Sequence, residues 1–74
     1  MNDATATDRA LDLLRLLVQD KGRAPLGAHA AALGLPLSTA YRMVEILRRH
    51  GLVAPAARGH YVAGLELIEL ARQA

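Results

Sequence analysis

Apolar residues recur at helical spacing along most of the chain, and polar residues, glycines and prolines interrupt them at a few definite places. In TDRALDLLRLLVQD, leucines and an alanine follow a capping candidate, Thr7 or Asp8, and Gly22 supplies a stop signal, which predicts a first helix over residues 7–20. Residues 1–6 ahead of it lack the basic start and apolar middle of a signal peptide and are expected to form a short flexible leader. The polar positions Asp12, Arg15 and Gln19 share one narrow face, and leucines and Val18 cover most of the remainder. That is more apolar surface than one small core uses. Two readings stand side by side: a helix sunk deep in its own domain, or a second apolar edge through Leu13 and Leu16 that pairs two chains.

Pro25 steers the residue before it away from helix, so Arg23 to Leu26 reads as an extended connector. A brief alanine-rich helix is predicted over Ala28 to Leu33, and Gly34 can end it in the left-handed conformation. Pro36 suits the first position of a third helix reaching His50, with a stop at Gly51. The segment LVAPAARGHYVAG reads as two strands, Leu52 to Pro55 and His60 to Ala63, joined by a turn around Ala57, Arg58 and Gly59. A last helix begins after Gly64, apolar at Leu65, Leu67, Ile68, Leu70 and Ala71. The expected fold is mainly α with a small β-hairpin: a helix-turn-helix within a three-helix core, then a two-stranded wing. The core domain is assigned to residues 7–63 and the start of a linker or dimerisation helix to residues 64–74.

With 74 residues, one small domain is the ceiling, and such a core has little stability to spare. The chain has no cysteine, so neither disulfides nor thiolate metal sites support it, which fits a reducing cytoplasm. Although 53% of residues are hydrophobic, no apolar run approaches a membrane span, so no membrane partner is expected. The formal net charge of +2 is mild, but its distribution is uneven. Between Pro36 and Gly59 stand Arg42, Arg48, Arg49 and Arg58 against the single acid Glu45, whereas every aspartate precedes Lys21. A concentration of positive charge in one segment is the footprint expected of a phosphate-binding surface.

On a helical wheel at roughly 100° per residue, Tyr41, Arg42, Glu45 and Arg49 fall within about 60° of Ser38, opposite Ala40, Met43, Val44 and Leu47. Such a helix packs on one side and offers hydroxyl and guanidinium groups on the other. In a helix-turn-helix that face enters the DNA major groove, where arginine can bond guanine with two N–H groups and hydroxyls can bond phosphates or base edges. The free N–H groups and positive dipole end of the first turn favour a phosphate near Ser38 and Thr39. Arg58 on the hairpin is placed to reach the backbone or the minor groove.

Each residue also has a plainer explanation. Ser38 and Thr39 can serve as caps, Arg48 and Arg49 as solvated residues near a helix C-terminus, and Tyr41 as a shield for the core edge. Their sharing of one face, ahead of a hairpin with another arginine, is what favours DNA. His29, His50 and His60 are too scattered for a metal motif. With no nucleophile elbow, glycine-rich phosphate loop or paired carboxylate, neither an enzyme nor a cofactor is expected.

The order Arg9-Ala10-Leu11-Asp12, then Leu35-Pro36 before Ser38-Thr39-Ala40-Tyr41-Arg42, then His50-Gly51-Leu52-Val53, and finally a hairpin, Gly64-Leu65 and a leucine-rich helix, resembles the N-terminal domain of the IclR (isocitrate lyase regulator) family of bacterial transcription regulators. The resemblance covers about residues 7–74. It implies a winged helix-turn-helix that binds operator DNA as a homodimer, with Ser38, Thr39, Tyr41 and Arg42 on the recognition helix and with the first and last helices pairing the subunits. The chain departs from the family pattern at Gly27-Ala28-His29, where a Ser-Glu-like cap is usual. It also stops before the family's effector-binding domain, which is therefore expected to be absent. A different reading is a winged-helix dimerisation module of an O-methyltransferase-like enzyme, without DNA binding; a third is a winged helix that binds only protein. Neither has need of an exposed Ser-Thr-Tyr-Arg face.

Overall fold

The computed structural model describes residues 3–74, in the order α1 (Asp3–Asp20), α2 (Leu26–Ala32), α3 (Leu37–Arg49), β1 (Val53–Ala57), β2 (His60–Ala63) and α4 (Leu65–Gln73). Helix α1 starts four residues earlier than expected, so Thr7 and Asp8 lie inside it rather than at its N-cap. The segment DATA holds two alanines, and nothing in it breaks a helix. Of the expected leader, Met1 and Asn2 lie outside the described residues. Helix α2 also starts early. Pro25 stands just ahead of it with extended backbone, and the Leu26 N–H donates to the Gly59 carbonyl at 2.8 Å, so the connector is shorter than predicted.

Helices α2 and α3 end by the same device. The Gly34 and Leu35 N–H groups donate to Ala31 and Ala30, and those of Gly51 and Leu52 donate to Arg48 and Leu47. In both cases the glycine has positive φ, 66° at Gly34 and 74° at Gly51, so a residue without Cβ closes the helix with little strain. Pro36 is the N-cap of α3, one position before the predicted one: its backbone is extended and its carbonyl accepts the first helical bond from Ala40. The turn between α2 and α3 is held from behind, since the Arg9 guanidinium of α1 donates to the Leu33 carbonyl at the C-terminal end of α2.

Leu13 and Leu17 from α1, Leu26 and Ala30 from α2, Ala40, Val44 and Leu47 from α3, and Val53 from β1 form the buried core. Leu13 is thus at the centre, with no exposed area, and is not part of a second apolar edge. The outward apolar edge of α1 runs instead through Leu11, 49% exposed, and half-buried Leu14 and Val18. Wheel angles alone leave the core side of a mostly leucine helix ambiguous, and packing against α2 and α3 settles it. The antiparallel hairpin pairs Val53 with Ala63 and Ala57 with His60, with an irregularity between Pro55 and Ala57 that lengthens β1 and leaves Arg58-Gly59 as the turn. Among the described residues, three helices and this hairpin make a winged helix-turn-helix, and α4 follows it.

Candidate nucleic-acid interface

One side of α3 is anchored by buried Ala40, Val44 and Leu47 and by half-buried Met43. The other exposes Ser38, Tyr41, Arg42, Glu45 and Arg49, in agreement with the wheel, and Arg48 at its edge. Thr39 departs from that set: it is half-buried and, with Arg42, Met43 and Ile46, lines an open groove of about 470 Å³ against Ala6 and Ala10 of α1. Because the N-cap is Pro36 and no side chain caps the helix, Ser38 and Thr39 are not capping residues. The first turn of α3 therefore keeps N–H groups that no cap side chain occupies.

The wing lies against the same face. A methyl group at Gly59 would sit 4.0 Å from the Tyr41 hydroxyl, which places the hairpin tip with exposed Arg58 beside α3. Tyr61 of β2 completes this junction. Its phenol is shifted up, first by burial and then by the neighbouring Tyr41 and Glu45, with Arg48 opposing. His60 Nδ1 donates to the Gly22 carbonyl at 2.9 Å and so ties the wing to the turn after α1. That turn carries exposed Lys21 and Arg23, two cations that sequence reasoning passed over. They lie far in sequence from the basic segment, and only the packing of the turn on the wing joins them to it.

Arg48 is engaged within α3. Its Nη2 and Nε donate to the two carboxylate oxygens of Glu45 at 2.5 and 3.1 Å, a two-pronged contact that holds the Glu45 carboxyl below its ordinary range. Among the described residues, Arg42, Arg49 and Arg58 form no ion pair. The three histidines stay apart in space: His29 is buried with Nε2 3.4 Å from Asp20 Oδ2, His60 binds Gly22, and His50 ends α3. Among the described residues no group of three or more histidine, aspartate or glutamate side chains is placed to hold a metal ion, and no helix is long and apolar enough to cross a membrane.

The geometry of helix-turn-helix and wing agrees with comparisons to known proteins. The chain is 23% identical to an IclR-family transcriptional regulator from Rhodococcus sp. whose crystal structure superposes with a TM-score of 0.82, over 99% of this chain and 29% of that one. It thus spans less than a third of the Rhodococcus protein. No curated protein matches the chain. The IclR helix-turn-helix domain matches residues 6–56, from the first helix through the first strand of the wing, and on that match the chain belongs to the IclR family.

Proposed function

We propose that this domain binds double-stranded operator DNA in a sequence-specific manner as the DNA-binding part of an IclR-type transcription regulator, with α3 in the major groove and the β1–β2 hairpin as the wing. The observation that carries the reading is the two-sidedness of α3: one flank is locked into the core, and the other presents Ser38, Tyr41, Arg42 and Arg49 beside the tip of the wing. In this arrangement Arg42 bonds a guanine edge, Tyr41 packs against neighbouring bases or sugar, and Ser38 with the first-turn N–H groups of α3 meets a phosphate. Thr39 lines the α1 side of the groove. Arg49 and Arg58 neutralise the backbone, and Arg48 adds positive charge beside it while paired with Glu45.

Two copies are expected to act together through α1 and α4. Leu14 and Val18 of the outward edge of α1 lie beside Leu67 of α4, and Leu11 of α1 with Leu65, Ile68 and Leu70 of the last helix are exposed. A homodimer would bind two half-sites whose spacing follows its two-fold symmetry.

Titration of a labelled operator duplex at two salt concentrations tests the proposal. The expected result is tight binding that weakens steeply as salt rises, with a log–log slope of about −0.9 for each phosphate neutralised. Absence of duplex binding would move the chain to a protein-only role, such as the dimerisation module of an O-methyltransferase-like enzyme.

A further inference from the structure

Glu45 is the only acid between Pro36 and Gly59, and it lies within the cationic face of α3, exposed between Arg42 and Arg49. Seven residues after Ser38, it stands about 10 Å further along the helix axis, within reach of the next bases if the first turn meets the groove. A carboxylate there is repelled by every phosphate and by the base acceptors of the major groove, guanine N7 and O6, adenine N7 and thymine O4. The groove offers it two donors, cytosine N4 and adenine N6. Adenine carries the N7 acceptor beside its amine, which repels the second carboxylate oxygen, so cytosine is the better partner.

The structure also shows how such a carboxylate would be held. Arg48 engages both oxygens from one turn away, which fixes the plane of the group and offsets its charge, while lone pairs on each oxygen stay available. The Tyr41 and Tyr61 phenols border the pair on the wing side. As a contribution to folding, an exposed pair of this kind counts for little. We propose that Glu45 is a specificity-determining residue that accepts a hydrogen bond from cytosine N4 in the major groove, with Arg48 as the positioning residue that aims its carboxylate. The inference rests on the DNA-binding reading given above.

The test is selection of bound sites from random duplex DNA with the full 74-residue chain, carried out for wild type, Glu45→Ala, Glu45→Gln and Arg48→Ala. Titration of the best site and its single base-pair replacements follows. Wild type should require cytosine at one position, and its replacement should weaken binding about tenfold. Glu45→Ala should flatten that position alone and bind the replaced sites more tightly than wild type. Glu45→Gln should move the preference toward adenine, whose N6 and N7 suit an amide, and Arg48→Ala should keep the cytosine preference in weakened form. Unchanged far-UV circular dichroism verifies that these exposed substitutions leave the fold intact. Identical base preferences for wild type and Glu45→Ala would overturn the inference while leaving DNA binding in place, whereas failure of the wild type to bind any duplex would overturn the reading beneath it.

Discussion

Arg42 and Arg58 carry the same charge, yet the proposed DNA-binding reading gives them different work. Arg42 projects from the middle of a rigid helix flank, where a guanidinium can be aimed at a base; Arg58 sits in a two-residue turn, where it can follow a phosphate. Arg42→Ala is expected to cost about 1–3 kcal/mol at the preferred site and to flatten discrimination between sites. Arg58→Ala should weaken binding to all sequences and reduce the salt slope by about one phosphate's share. Titrations on specific and random duplexes at several salt concentrations separate the two, and equal losses on both duplexes for Arg42→Ala would remove it from base readout. Asp20 illustrates a residue whose role is internal. Its carboxylate accepts the Ala24 N–H at 2.6 Å, which lowers its pKa first of all, and His29 nearby lowers it further. A carboxyl with a depressed folded pKa lends stability above the unfolded value and loses it as pH falls through the folded one. Asp20→Asn should therefore melt at a lower temperature than wild type near neutral pH, with the difference closing below the usual aspartate range of about 4. A gap in melting temperature that is constant from pH 7 to pH 2.5 would rule out this electrostatic role. The polar face of α3 was legible in the sequence because helical periodicity fixes angles, but the partners of Asp20, and of Arg9 at Leu33, join residues that no local pattern connects.

The elements were largely legible because their ends carry local chemistry: glycines close α2 and α3, and prolines stand immediately before both helices. Their starts were less so. A capping residue such as Thr7 permits a helix to begin but does not forbid the preceding turn from being helical, and α1 extends back to Asp3. The junction of α3 with α4 depends on a contact invisible to any periodicity. The Gly51 carbonyl accepts the N–H groups of Glu66 and Leu67 at 3.0 and 3.3 Å, and a Cβ on Gly64 would lie 2.1 Å from that oxygen. Gly64 has an ordinary φ of −82°, so the demand is for space alone. Gly64→Ala is predicted to lift α4 off the end of α3 and to cost about 1–3 kcal/mol. Gly34→Ala meets no neighbour within 4 Å and carries only the strain of its left-handed backbone, roughly 1–2 kcal/mol. Urea denaturation measures both losses. Circular dichroism should show lost helix content for Gly64→Ala only, and retention of α4 in that variant would contradict the steric argument.

Across the whole molecule, apolar surface remains where α1 and α4 meet. Leu65 is 75% exposed and no residue of α4 is buried, so apart from half-buried Leu67 the apolar side chains of this helix lack a partner within the chain. A second copy would cover them. Sedimentation should show self-association that strengthens with concentration, and Ile68→Glu should abolish it while leaving the melting temperature at low concentration unchanged. A monomer at all concentrations would remove α1 and α4 from the pairing proposal. Periodicity, punctuation by glycine and proline, and the ordered string of short motifs sufficed to settle the element sequence, the packing and polar sides of α3, and the family resemblance. Those are local properties, written into spacing along one chain. Three-dimensional packing alone decided that Leu13 is core and Leu11 is edge, that Arg48 is shared with Glu45, and that Lys21 and Arg23 join the wing. It did so because side-chain neighbours across elements depend on how helices and hairpin pack together, and no periodicity within one segment encodes that arrangement.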